Sequence, residues 1–241
     1  NRSRILYSRT IKFSESAAAV QNVSDSAVTQ KEGPMAVASA PQQPAPAVKK
    51  KLTLKDGRQV TVRNMDASDV DRSYEFFCAL PEEDRKYLRV DVTRRTMVER
   101  RTTELDRSRI ERLVVVHGDE IVADGALYLE GHGWGDNVAE IRLIVSRDWQ
   151  RLGLGTLLAR ELFHLASQYR VDRIVARLMR PQKGAHRIMR RLGFSEEFLI
   201  PEHVRDQDGT WQDLIIMRCP LDELWREMEF QLESTDWRRH R

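Results

Sequence analysis

The stretch 139–163, AEIRLIVSRDWQRLGLGTLLARELF, sets a β-branched apolar run directly before two glycines and a strongly amphipathic segment. Its two halves have different periods. The first reads as a strand by residue type, whereas Leu154, Leu157, Leu158, Leu162, Leu165 and Ala166 recur at the i, i+3, i+4 spacing of one buried helix face. Gly153 and Gly155 are poor helix formers, so their place at a helix start predicts close approach of something to the backbone. The first N–H groups of a helix lack intrahelical partners and lie at the positive end of its dipole, which favours phosphate. Gln150 and Arg151 can add side-chain donors. The alternative is a tight strand-to-helix turn whose glycines serve packing alone. Two other phosphate loops are excluded: no lysine follows as a Walker A loop requires, and Leu158 stands where a dinucleotide fingerprint needs a small residue.

The organised domain is expected over residues 51–219, in the coarse order β(hairpin)-α-α-β-β-β-α-β-α-β-β-α. LTLKDGRQVTVRNM reads as a hairpin with Leu52, Leu54, Val60 and Val62 inward. Asp66 or Ser68 caps a helix carrying Val70, Tyr74, Phe77 and Cys78 on one side, and a polar helical stretch spans about 93–108. ERLVVVHG and EIVADGALYLEG read as paired strands, with GHGW at 131–134 as a hairpin tip. DRIVARLM and a helix at 183–192 follow, then the pair FSEEFLIPEHV and TWQDLIIMRC turned by DQDG. Mixed elements around a mostly antiparallel sheet imply an α+β, three-layer sandwich.

Residues 1–50 form a Ser-, Ala- and Pro-rich arm, with four of the eight prolines between 33 and 48, and are expected to be flexible. Their first residues, with no acid before Glu15, are read as a leader before a start at Met35 rather than as an organellar targeting segment. Residues 220–241 are expected to form an amphipathic helix and tail, with Leu221, Leu224, Trp225, Met228 and Leu232 on one stripe. That stripe packs on the domain or, in the livelier reading, makes a homodimer contact. A net charge of +3, from 40 basic and 37 acidic residues, gives no bulk attraction to nucleic acid, and no aromatic residue interleaves the arginines between 93 and 112. Those arginines alternate with Glu99, Glu104, Asp106 and Glu111, which predicts a solvated, ion-paired face rather than an acceptor groove. No apolar run reaches membrane-spanning length, and two cysteines without zinc-ligand spacing point to a cytoplasmic protein with no metal.

Gln150-Arg151-Leu152-Gly153-Leu154-Gly155, after a strand and opening a helix, resembles the acetyl-CoA-binding signature of the GNAT N-acetyltransferases, with Val145 at its usual place five residues upstream. The element order over 52–218 and RRLGF at 190–194 fit the same family. LKDGRQVTVRNM, EFFCALPEEDRKYLR and AEIRLIVSRDWQRLGLG further resemble bacterial Pat-type protein lysine acetyltransferases. The resemblance implies the GNAT fold and acetyl-CoA as donor. It places donor contacts at Leu143, Ile144, Val145, Gln150, Arg151, Leu152, Gly153, Leu154, Gly155 and Thr156, and an acceptor amine, foremost a protein lysine, deprotonated by Glu140 as general base. Strand alternation sets Glu140 with Arg142 and Ile144, opposite Ile141, Leu143 and Val145. The alternative role of Glu140 is an exposed strand residue paired with Arg142 or Arg177. Two positions depart from the family pattern: Met189 stands where many members carry a tyrosine acid, and Gln182 where an asparagine is common. A small amine as acceptor, or an acyl-CoA-binding module without turnover, are the rival readings.

Overall fold

The computed structural model describes residues 45–129, 133–169 and 171–221. Strands β1 (Lys49–Thr53) and β2 (Gln59–Asn64) form the first hairpin, with Leu54, Val60 and Val62 buried. Asp66 caps a 3₁₀ turn, reciprocated by Asp69, and leads into α1 (Val70–Ala79). α1 buries Ser73, Phe76 and Phe77 and leaves Cys78 exposed, so its buried face is rotated from the expected one. Two adjacent phenylalanines carry more apolar area than a thiol and decide which side turns inward. The single turn α2 (Glu82–Arg85) and the helix α3 (Arg95–Thr103), shorter than the polar stretch predicted, complete the first helical layer.

β3 (Ile110–His117), β4 (Glu120–Leu129) and β5 (Val138–Val145) follow as antiparallel neighbours. Then come α4 (Leu154–Gln168), β6 (Arg173–Met179), α5 (Lys183–Arg191), β7 (Ser195–Arg205) and β8 (Trp211–Pro220). β8 runs through Pro220, where the sequence predicted a helix start, and Leu221 is buried in the core; the predicted C-terminal helix beyond Leu221, like the arm before Ala45 and most of the 131–134 tip, lies outside the described residues. The eight strands make one sheet in the order β1-β2-β3-β4-β5-β6-β8-β7.

Each face of the sheet carries its own core. On one, Leu154, Leu158, Leu162 and Phe163 of α4 and Met189 of α5 pack with Leu113, Leu127, Ile141 and Ile174. On the other, Phe76 and Phe77 of α1 and Val98 of α3 pack with Val114 and Ile121. The fold is therefore the α+β three-layer sandwich, mostly antiparallel. Behind α4, the buried Tyr169 hydroxyl donates to Glu111 Oε1 at 2.5 Å and accepts from the Ala45 amide at 2.7 Å, so organised chain begins ahead of residue 51. No helix among the described residues is long and apolar enough to cross a membrane.

Among the described residues the only parallel pairing is that of β5 with β6. β5 pairs with β6 over Val138–Glu140 against Arg173–Val175 and no further, while β6 continues to Met179 alongside β8. Past Glu140 the two strands diverge, and the sheet opens into a wedge.

Candidate active site

Main-chain groups of β5 alternate between its two edges. Ser146 donates to the Val122 carbonyl, so Ile144 and Arg142 likewise address β4, and Leu143 and Val145 address the open wedge. Leu143 thus offers its N–H and carbonyl, and Val145 its N–H, along the gap, as an extended arm would need. Ile144 does not: its backbone is used by β4, and its side chain packs on the α1–α3 face.

The loop after β5 bends sharply. A 3₁₀ turn over Arg147–Trp149 leads to Gln150, whose Nε2 donates to the Val145 carbonyl at 3.2 Å. Gln150 therefore spends one donor on fastening loop to strand. Arg151 (φ 64°) and Gly153 (φ 86°) both adopt left-handed backbone, which turns successive N–H groups toward a common side. The two glycines serve different ends. A Cβ on Gly153 would meet nothing nearer than Lys55 Cε at 3.8 Å, so its glycine is required by conformation, whereas one on Gly155 would lie 3.2 Å from Ile188 Cδ1 and 3.6 Å from Val145 Cγ2. Gly155 lets the start of α4 press against β5 and α5. Leu154 is buried and Leu152 packs on the core, so what these two offer a ligand is main chain, while Thr156 lies half-buried in the first helical turn.

Glu140 marks the apex of the wedge. It is buried rather than exposed, and its carboxylate is held by three arginines: Arg89 donates to Oε1, Arg142 to Oε1 at 3.0 Å and Oε2 at 3.2 Å, and Arg177 to Oε2 at 2.5 Å. Four donors occupy the roughly four acceptor sites of a carboxylate. Burial alone would raise the Glu140 carboxyl, but the bonds and charge of Arg142, with the charges of Arg89 and Arg177, hold it below the ordinary value. It is a firmly ionised group.

On the same face lies a cleft of about 390 Å³ between the loop 88–92, α3 and strands β3–β5. Arg101 and Arg112 both donate to Asp124 Oδ1, at 2.8 and 3.1 Å. Arg101 stacks on Phe77 and Arg142 on Tyr128, with guanidinium carbons 4.4 and 3.9 Å from the ring centres. Tyr128, which faces Glu140 across the β4–β5 ladder, accepts from Arg112 at 3.4 Å. Burial pushes its phenol up, yet Arg112, Arg142 and Arg101 bring it below the usual value on balance. This corrects the reading of the 93–112 arginines. Arg94, Arg95 and Arg100 do form surface ion pairs, with Asp91, with Asp71 and Glu99, and with Glu104, but Arg101 and Arg112 turn into the cleft. The signal was Asp124 and Arg112 interrupting otherwise apolar strands. Tyr128 was legible only through the strand register.

Met189 is buried in the core and Gln182 accepts from the Met179 amide at 2.7 Å ahead of α5, so neither presents a proton donor in the family's usual place. Among the described residues no group of three or more His, Cys, Asp or Glu is arranged to hold a metal.

Residues 75–194 match the model of the Acetyltransferase (GNAT) family. No curated protein matches the chain in sequence. Among solved structures, the chain is similar to the GNAT domain of S. lividans PAT, with a TM-score of 0.61 and 16% identity over 71% of this chain and 96% of that one. It is similar to the ribosomal-protein-S5-alanine acetyltransferase from Vibrio fischeri, with a TM-score of 0.63 and 14% identity over 73% and 98%. It is also similar to Mycobacterium smegmatis RimJ in complex with CoA-disulfide, with a TM-score of 0.62 and 20% identity over 73% and 88%. At these identities the likeness is one of fold.

Proposed function

The chain belongs to the GNAT acetyltransferase family, and on that premise we propose that it transfers the acetyl group of acetyl-CoA to a primary amine by direct attack. The observation that carries the proposal is the wedge beside β5, where Leu143 and Val145 leave main-chain groups unpaired next to the left-handed backbone at Arg151 and Gly153. The loop amides and the start of α4 hold the pyrophosphate, and the β5 edge takes the pantetheine arm. The Val145 amide donates to the thioester oxygen and to the oxyanion that replaces it. The amine attacks the carbonyl carbon from the cleft side of the sheet, an N–C bond forms, the C–S bond breaks, and the thiolate leaves.

In this reading Glu140 takes the amine proton, directly or through a water. Its acceptor sites are filled, so the role requires one arginine to withdraw; Arg89, the most exposed of the three and borne on a loop, is the one placed to do so. The resemblance to Pat-type enzymes nominates a protein lysine as acceptor. Against it stands the cleft itself, half-enclosed at about 390 Å³, whose size suits a small molecule; a small amine is the acceptor we favour. Met189 and the saturated Glu140 support a second reading, an acyl-CoA-binding module without turnover. Release of free CoA thiol from acetyl-CoA over a panel of small amines and lysine peptides decides between them. Tight donor binding with no amine-dependent thiol release refutes the enzymatic reading.

A further inference from the structure

The cleft is not charge-balanced. Among the described residues Asp124 is the single carboxylate answering Arg101 and Arg112, and Glu140 the single carboxylate answering Arg89, Arg142 and Arg177. Arg100 and Glu104 neutralise one another at 3.4 Å. Of these guanidinium groups Arg89, Arg101, Arg112 and Arg142 line one half-enclosed space, and once Arg100 and Glu104 are set against each other Asp124 is the one carboxylate left among its lining residues. Arg112 is deeply buried, and neither its Nε nor Asp124 Oδ2 has a hydrogen-bond partner among the described residues. Guanidinium cannot shed its proton to relieve the excess. The effect differs among the groups: Asp124 and Tyr128 keep Arg112 raised despite its burial. Burial lowers Arg101, with Arg112 adding to the effect against the pull of Asp124, and burial lowers Arg89, with Arg142 and Arg177 adding to the effect against Glu140. Elsewhere the cleft is apolar, with Leu88, Val92, Leu105 and Ile144 among its walls.

Resting on the acetyl-transfer reading, we infer that the acceptor is a small amine carrying its own carboxylate or phosphate, which binds the cleft arginines while its amine faces Glu140. The missing negative charge is then supplied by the substrate. A carboxylate or phosphate offers paired acceptor oxygens that match a guanidinium fork. The cleft volume of about 390 Å³ is that of a small-molecule site with an apolar body and a few polar anchors. The arrangement also solves the difficulty at Glu140. Arg89 lines the cleft and bonds Oε1, so an anion that draws Arg89 to itself frees an acceptor site on Glu140 for the amine proton. Substrate charge and base activation become one event, and an amine without the anion leaves the base blocked.

The test compares matched amines on the full-length protein: phenylalanine with phenethylamine, O-phosphoethanolamine with ethanolamine, and a lysine peptide as the cationic reference. We expect kcat/KM at least about tenfold higher for one or both anionic members of the pairs, the two pairs distinguishing carboxylate from phosphate, with the preference falling as salt rises. Arg89→Ala is expected to shrink the ratio toward one. Succinate and inorganic phosphate, which cannot be acetylated, provide a readout independent of chemistry: either should raise the Tm of the wild type and do so less for Arg101→Gln. Turnover in which neutral or cationic amines equal the anionic ones overturns the inference and leaves the acetyltransferase reading standing. Anion-dependent stabilisation without any thiol release refutes that reading while retaining the anion site.

Discussion

Replacing Glu140 by glutamine removes the negative charge that three guanidinium groups share and keeps the shape of the side chain. The amide still presents one oxygen to Arg89 and Arg142, but its NH₂ points a donor at the donors that Oε2 now receives from Arg142 and Arg177. Breaking a buried ion pair from one side costs about 3–5 kcal/mol. Here the three arginines are 44%, 32% and 36% exposed and recover part of their hydration, so the expected loss is about 2 kcal/mol. With a urea slope of about 2 kcal/mol per molar, the midpoint falls by about 1 M. The pH dependence has a definite sign. The folded-state carboxyl lies below its unfolded value, so this stabilisation is present above the ordinary glutamate range near 4.3 and is lost as pH falls through the folded value. Urea midpoints of wild type and variant should therefore differ at pH 7 and converge in acid. A midpoint shift under about 0.2 M at pH 7, or one that grows in acid, refutes the electrostatic account of the cluster. At pH 7, under conditions where both proteins are folded, the loss of a base lowers kcat by about 10²-fold with donor affinity unchanged. Equal rates would remove Glu140 from the chemistry and leave it as the anchor of the arginines.

Three further substitutions probe separate parts of the molecule. Gly153→Ala places a Cβ in open space but on left-handed backbone, which should cost about 1 kcal/mol and raise the KM for acetyl-CoA more than it lowers kcat, read by chemical unfolding and steady-state kinetics. Tyr128→Phe asks whether the phenol opposite Glu140 supplies the proton that Met189 cannot: kcat should fall at least about tenfold, and the wild-type alkaline decline, set by a phenol held below its usual value, should disappear in the variant's pH profile. Tyr169→Phe deletes the hydroxyl between Glu111 and the Ala45 amide and should cost about 1–2 kcal/mol. Burial and then Glu111 push that phenol up to about 12, so its stabilising contribution is whole below the unfolded value near 10 and fades as pH rises toward 12; urea titrations at pH 8 and above 11 should show the two proteins converging.

Local pattern carried the elements of this fold, because α4 and the strands bury residues at the period their sequence repeats. It failed where two faces competed on one short helix: α1 turns on Phe76, which lies one residue from the expected stripe. The strand–loop–helix junction was equally legible, since left-handed backbone at Gly153 and close packing at Gly155 are properties of the residues themselves. The surroundings of Glu140 were not. Arg177 and Arg142 lie on strands whose spacing allows the pairing to be conceived, but Arg89 comes from a loop 51 residues away, and only the packed α1–α3 layer brings it in. Arg101 belongs to the same class. Nothing in its own segment separates it from the ion-paired arginines around it; Arg112, set in an apolar strand, and Asp124, on the next strand, do.

The bond from Gln150 to the Val145 carbonyl has a consequence for how the donor is measured. On the proposed function it clasps the loop assigned to the phosphates to the strand residue assigned to the acyl group, fixing the span between them as the jaws of a caliper are fixed. A donor is then gauged by length from its diphosphate to its thioester, and one that lacks the nucleotide end, such as acetyl-pantetheine, loses the register of its carbonyl along with its affinity. Remote binding would be converted into rate. Loosening the clasp with Gln150→Ala would let short and long donors be handled more nearly alike, at the expense of speed with the natural one.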